Sequence, residues 1–179
     1  INNLILLFVL LKIKITLNLK KKNCYLMKNF NYNVLVLILT GTAALALAIG
    51  IGRFTYTPIL PFMLEELNIT KTEGGLIASW NFFGYLCGSL LSISSIFKKR
   101  VKLVFFISIV LSISTTFLMS IDDEVIFFII IRFISGLSSA FVLIFGTALI
   151  LPSIQAFGKK SLSTSHFMGV GFGLSLIHI

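Results

Sequence analysis

The chain has 179 residues, of which 57% are hydrophobic and 12% charged, and its mean hydropathy is +1.04. A globular domain of this composition could not present a solvated surface, so the sequence predicts an integral membrane protein. The net charge of +9 does not indicate nucleic acid, because the basic residues form short clusters between apolar runs that themselves contain the aromatic residues.

The two ends of the chain do not fit the rest. Residues 1–27 are expected to be a non-native or disordered leader, with the true start at Met27. The alternative is a signal or first membrane segment, but the apolar run 4–11 is too short to span and lacks a small-residue cleavage site. Residues 174–179 resemble translated adapter sequence. We therefore expect residues 28–173 to be native and the protein to be an N-terminal fragment.

The first predicted helix, 34–64, carries an arginine at membrane depth. From Val34 to Gly52 there are 19 uncharged residues, which at a rise of about 1.5 Å each nearly cross a hydrocarbon core of about 30 Å. A cation on the lipid face costs about 2.5 to 3.5 kcal/mol on insertion scales. Arg53 is therefore expected to face a protein interior or a water-filled cavity. The alternative is an arginine that snorkels to the interface from a helix end.

Two prolines follow Arg53 before the apolar segment ends. Pro58 and Pro61 each lack a backbone donor, and a membrane helix tolerates them mainly where it is packed or borders a cavity. The helix is therefore expected to continue, bent, with both prolines in gating or structural roles. Tyr56 lies about one turn beyond Arg53 and is a candidate binding residue with it.

The second predicted helix, 75–96, repeats a small residue every four positions. The repeat consists of Gly84, Gly88 and Ser92. Such a stripe lets helix backbones approach closely in lipid, which gives the glycines a structural role. Asn81 could face the same interior as Arg53 and is a further candidate binding residue. Trp80 is either a polar edge of this helix or an interfacial belt residue.

The remaining predicted helices are 103–120, 125–152 and 164–179. The second of these contains Arg132, and none of the six acidic residues of the chain falls within a predicted span. Basic residues cluster in alternate loops, at 20–28, 98–102 and 159–160. Because Lys and Arg in short loops stay in the cytoplasm, the N-terminus is predicted to be cytoplasmic and the acidic loops external.

The residues that carry catalysis in other proteins are few. The cysteines and histidines show neither a disulfide framework nor metal-ligand spacing. The arginines within the spans lack a paired carboxylate, nucleophile or metal cluster. We therefore predict no metal, no cofactor and no enzymatic activity.

Several segments resemble the major facilitator superfamily. Residues Arg132–Ala140 (RFISGLSSA) are similar to its fourth-helix motif, an arginine followed by glycine, here Gly136, and alanine at helical intervals. The combination of Gly50–Pro61 (GIGRFTYTPILP) with Gly74–Gly88 (GGLIASWNFFGYLCG) closely resembles the YbfB/YjiJ-type branch of these transporters. Residues 166–173 are similar to the start of that branch's fifth helix, so the resemblance covers about 30–173.

One loop departs from the superfamily pattern. Most members carry a Gly-Asp-Arg-Gly-Arg-like loop between helices two and three, whereas residues 94–100 (SSIFKKR) have neither the aspartate nor the glycines. The usual gating charge network is therefore expected to be absent, and the basic loop is interpreted as a topology signal.

The resemblance implies an all-α membrane protein, a helical bundle of which this chain holds the first four transmembrane helices and part of a fifth. The whole would have two six-helix halves built from inverted repeats, with the substrate near the midplane. It implies a secondary active transporter of a small solute in a bacterial inner membrane, working by alternating access. The alternative is a non-transporting membrane scaffold or assembly protein.

The charges within the spans also indicate roles for the two arginines. Buried cations without acids favour an anionic substrate, which would contact Arg53, Tyr56 and Asn81; the alternative is that an acid from the C-terminal half of the transporter pairs with Arg53. Proton coupling stays open, because no acid lies in a predicted span. Arg132 either donates to carbonyls of neighbouring helices or senses the coupling ion.

Overall fold

The computed structural model describes residues 30–98, 100–121, 123–158 and 160–177. The leader predicted at 1–27 lies outside these residues, as do Lys99, Asp122 and Lys159 in the predicted loops. The chain divides into two compact units, Ile1–Leu35 and Val36–Ile179. All of the packing described below lies within the second unit.

Every regular element in the described part of the chain is helical. In chain order these are α1 (Phe30–Leu45), a π-helical segment (Ala46–Phe54), α2 (Tyr56–Glu66), α3 (Lys71–Leu91), α4 (Ser95–Lys98), α5 (Val101–Leu118), α6 (Val125–Ala156), a 3-10 helix (Lys160–Phe167) and α7 (Met168–Ile177). The fold is therefore the all-α membrane bundle that the sequence predicts.

Three helical stretches are long and apolar enough to cross a membrane. They are Val34–Glu66, Val101–Leu118 and Val125–Ala156. The first comprises the end of α1, the π-helical segment and α2. With 21 residues α3 has sufficient length, but its glycines, Asn81 and Trp80 make it less apolar.

The observed boundaries of α3 differ from the span 75–96 expected from hydropathy. The helix begins at Lys71 because Thr70 and Glu73 form a capping box: Thr70 N donates to Glu73 Oε2 at 2.8 Å and Glu73 N donates to Thr70 Oγ1 at 3.3 Å. The bonds from Thr70 hold the pKa of the Glu73 carboxyl below its usual value. The helix ends at Leu91, and the short α4 follows.

Two other helices also extend differently from their predicted ranges. The fourth span, predicted to end at 152, continues through Pro152 to Ala156. The fifth, predicted to begin at 164, starts as a 3-10 helix at Lys160 and becomes α-helical only at Met168. Hydropathy marks the apolar part of a helix, whereas capping and backbone hydrogen bonds decide where it ends.

The most extensive packing is between α3 and α6, at a crossing where the backbones nearly touch. A Cβ added at Gly84 would collide with the carbonyl of Phe133, and one at Gly136 would collide with the carbonyl of Asn81. One turn further, a Cβ at Gly88 would lie 2.8 Å from the carbonyl oxygen of Leu137. Small residues at these points are what permit the close approach.

A second close crossing joins the first span to α7. Here Gly50 meets Gly173, and Gly169 packs on the carbonyl of Thr42. Between these crossings, buried apolar residues of α1, the π-helical segment, α5 and α6 form one core cluster. A second cluster joins α2, α3 and α6 through Tyr56, Ile77 and Phe128.

Candidate functional site around Arg53 and Arg132

The π-helical segment places two backbone carbonyls within reach of another helix. In π-helical register the carbonyl of Arg53 would accept from the amide of residue 58, but Pro58 has no N–H. Near the end of the segment, Thr55 N and Oγ1 both donate to the carbonyl of Ile51, at 3.3 and 2.6 Å. The carbonyls of Gly52 and Arg53 receive side-chain donors from α6.

Arg132 supplies two of these donors from a buried position. Its side chain is 4% exposed, with Nη1 3.4 Å from the carbonyl oxygen of Gly52 and Nη2 3.2 Å from that of Arg53. Ser135, three residues along the same face, donates its hydroxyl to Gly52 at 3.3 Å. The guanidinium carbon also lies 4.5 Å from the centre of the Tyr56 ring. Arg132 therefore clamps the π-helical segment to α6.

Two further hydrogen bonds connect this clamp to α3. The buried Asn81 donates from Nδ2 to the carbonyl of Arg132 at 2.9 Å. The hydroxyl of Tyr56 donates to the carbonyl of Gly74, also at 2.9 Å. The first span, α3 and α6 are thus joined by polar contacts, each of which satisfies a backbone carbonyl in an apolar bundle.

The side chain of Arg53 leaves this network and lies against an aromatic surface of α3. Its guanidinium carbon is 4.4 Å from the centre of the Tyr85 ring and 4.7 Å from that of Phe82. Phe82 is 57% exposed and Arg53 itself is half-buried. Its Nε is buried without a partner, and no carboxylate of the described residues pairs with it. Arg53 is therefore a cation within the first candidate span, held by aromatic faces and without a neutralising acid in the part of the chain that the structure describes.

The predicted binding residues thus fall into two groups. Tyr56 and Asn81 contact Arg132 or its backbone, whereas the aromatic contacts of Arg53 are Phe54, Phe82 and Tyr85. The predicted structural residues Gly84, Gly88 and Gly136 lie at the crossing of α3 with α6, and Pro61 lies inside α2.

Sequence reasoning missed several residues of this site, including Ser135, Phe82 and Tyr85. Ser135 is spaced three residues from Arg132, a signal that a search for hydroxyls on the arginine face would have found. Phe82 and Tyr85 are also spaced by three, but they are surrounded by other aromatic residues. The hydroxyl of Tyr85 marks a polar edge of the helix, but nothing in the sequence shows that it lies next to Arg53, and nothing distinguishes Phe82 from a lipid-facing side chain.

Comparison with known proteins identifies the family. The family model described as the uncharacterised MFS-type transporter YbfB matches residues 45–178, which include the π-helical segment and both arginines. No curated protein and no solved structure matches the chain significantly. The match covers most of the chain and agrees with its apolar helical bundle, which makes the protein an integral membrane protein of a transporter family. The chain belongs to the YbfB family of MFS-type transporters.

Proposed function

We propose that this protein is a secondary active transporter that moves a small solute across the membrane by alternating access, with Arg53 lining the solute pathway. The observation that carries the proposal is the position of Arg53, half-buried within the first candidate span beside the exposed ring of Phe82 and the half-buried ring of Tyr85. A guanidinium is always protonated and is costly in contact with lipid tails. The exposed side of this arginine therefore favours a polar pathway over the bilayer.

The same contacts favour an anionic substrate. Arg53 has no carboxylate partner among the described residues, so a bound anion would neutralise it and accept its hydrogen bonds. The rings of Phe82 and Tyr85 hold the guanidinium in place and offer an apolar wall beside it. We therefore propose a small organic anion, such as a carboxylate, as the substrate.

We propose that Tyr56 and Asn81 support Arg53 by positioning the helices around it and that they do not contact the substrate in this conformation. Both already use a polar group on a backbone carbonyl, Tyr56 on Gly74 and Asn81 on Arg132. Asn81 is only 1% exposed. Direct substrate contact by these two side chains would need a rearrangement of the bundle, of the kind that alternating access involves.

The test is uptake by the purified full-length transporter in liposomes, with radiolabelled lactate, succinate and 4-hydroxybenzoate as anionic probes and glucose and choline as uncharged and cationic probes. We expect uptake of at least one anion above empty liposomes. Arg53→Gln should raise its KM by about 10- to 100-fold, the size of one lost charge-assisted hydrogen bond. Arg53→Lys should give a smaller increase.

Arg100→Gln is the matched control, because it removes the same charge from an exposed loop position, and it should leave the KM unchanged. Unchanged KM in both Arg53 variants would exclude Arg53 from binding. Uptake of glucose or choline without any anion would overturn the anionic substrate. Absence of all uptake would favour the scaffold alternative.

We further propose that the protein resides in a bacterial cytoplasmic membrane with its N-terminus inside. The support is the alternation of basic and acidic loops along the sequence. Arg100 lies in a basic loop and Asp123 and Glu124 in an acidic one, on opposite sides of the α5 span.

A further inference from the structure

His166 is a completely buried imidazole that the site around the two arginines does not use. It lies in the 3-10 helix before α7 and is 0% exposed. On one side it meets α1, where a Cβ added to Gly41 would lie 2.5 Å from its Nδ1. On the other side its Nε2 lies 3.5 Å from Oγ1 of Thr147 on α6. The imidazole is therefore enclosed between the first and fourth spans.

The backbone beside this histidine is fixed to α1. The hydroxyl of Thr42 donates to the carbonyl of Ser165 at 3.2 Å, across the contact between the two helices. Thr147 is also unusual, because its hydroxyl bonds the imidazole. Most other hydroxyls in the spans, such as those of Thr115 and Ser153, donate to carbonyls of their own helix.

Two buried polar atoms of this 3-10 helix lack a partner. They are Nδ1 of His166 and Oγ of Ser163. In a 3-10 helix residues three apart lie directly above one another, so both side chains leave the same face. The 3-10 helix thus presents two unpaired polar groups, of which the imidazole is packed between α1 and α6.

The chemistry of imidazole leaves one ring nitrogen of His166 unsatisfied in either neutral form. A neutral ring has one donor and one acceptor nitrogen. If Nε2 donates to Thr147, then Nδ1 has a free lone pair; if Nε2 accepts, then Nδ1 has an unused N–H. Neither tautomer satisfies both nitrogens, and leaving a buried polar atom unpaired is unfavourable. Binding of a proton to the free lone pair, with a water or the Ser163 hydroxyl as acceptor, would resolve the mismatch.

We propose that His166 is a proton-binding site inside the helical bundle, with Ser163 and Thr147 as its hydrogen-bonding partners. The described side chains that face it carry no charge: they are Gly41 and Thr42 from α1, Thr147 and Ile150 from α6, and Ser163 and Phe167 from its own segment. Ionisable residues inside membrane bundles commonly mark proton pathways. A role of this site in coupling would rest on the proposed transport, whereas proton binding itself does not.

The test follows the imidazole directly and does not depend on transport. The chain has two histidines, so a His178→Asn variant labelled with ¹⁵N-histidine and reconstituted in nanodiscs reports on His166 alone. We expect its ring ¹⁵N shifts to change reversibly from the neutral to the charged pattern between about pH 5 and 8. Shifts that stay neutral throughout this range would overturn the proposal.

A second comparison tests the role of Ser163. Ser163→Ala in the same background should move the midpoint of the titration by about 0.4 to 1 pH unit, the size of one hydrogen bond. Thr164→Ala, on an exposed neighbouring position, should leave the midpoint unchanged. Equal midpoints in the two variants would remove Ser163 from the site.

Discussion

Replacing Arg132 by lysine separates the charge of this residue from its geometry. The guanidinium donates from two nitrogens to two successive carbonyls, those of Gly52 and Arg53, and stacks on Tyr56. An ammonium keeps the charge but has no planar fork, so it can bond only one of these carbonyls well and stacks less extensively. We therefore expect Arg132→Lys to destabilise the fold.

The magnitude follows from the contacts that are lost. A hydrogen bond to a charged group contributes about 1.5 to 3 kcal/mol, and distances of 3.2 and 3.4 Å place these bonds near the lower end. One lost bond then costs about 1.5 kcal/mol, and the weaker contact with Tyr56 adds about 0.5 to 1 kcal/mol. The expected loss is about 2 to 2.5 kcal/mol, a large part of the stability of most domains.

The assay is the free energy of unfolding in mixed detergent micelles, followed by circular dichroism during titration with sodium dodecyl sulfate. Arg100→Lys is the matched control, because Arg100 is exposed and should tolerate the change within about 0.5 kcal/mol. If Arg132→Lys unfolds like the wild type yet no longer transports, the clamp is not what Arg132 provides, and a role in sensing a coupling ion would replace it.

Three further predictions concern the crossing, a helix start and the orientation. Gly84→Ala should destabilise the fold by about 1 to 3 kcal/mol, because its Cβ meets the backbone of α6; Gly75→Ala, with open space around it, should be neutral or stabilising in the same unfolding assay. The cap of α3 should weaken as the pH falls, because folding lowers the pKa of the Glu73 carboxyl. The stabilisation by Glu73 is fully present above the pKa that this carboxyl has in the unfolded chain, about 4.3. It is lost as the pH falls through the lower pKa of the folded state. Amide exchange at the start of α3 measures this, and Glu73→Gln should remove the pH dependence. Finally, cysteines introduced singly at residues 99 and 123 of a cysteine-free variant should react with an impermeant reagent from opposite sides of the membrane, and labelling of both from outside intact cells would contradict the orientation.

The helical membrane architecture could be predicted because it depends on composition and on the length of apolar runs. The start of α3 was also present in the sequence, as the Thr-x-x-Glu pattern from Thr70 to Glu73, but hydropathy alone placed it four residues late, at 75. The π-helical segment could not be found in this way. All of its residues before Arg53 are apolar or glycine, so the sequence has no polar face whose period would reveal wider turns.

The pairing of side chains was beyond sequence reasoning for a different reason. Asn81 and Arg132 are 51 positions apart, and Arg132 and Gly52 are 80 apart. One sequence contains no information on which helices are neighbours. The expectation that Arg132 donates to carbonyls on another helix needed only its burial and charge. In the structure, its two terminal nitrogens do donate to the carbonyls of Gly52 and Arg53. Which carbonyls accept depends on how the first span packs against α6.

The claim that Arg53 lines a solute pathway is tested most directly by the water accessibility of its aromatic neighbour. Phe82 contacts Arg53 and is 57% exposed on α3. Ile107 is 47% exposed on α5 and is not among the residues described above as contacting Arg53 or Arg132. In proteoliposomes, a Phe82→Cys variant should react with a water-soluble, membrane-impermeant thiosulfonate, and a transported anion should slow the reaction. An Ile107→Cys variant, expected to face lipid, should stay unreactive. If the cysteine at position 82 is as unreactive as the one at position 107, Arg53 does not line a water-filled pathway and the proposed role fails.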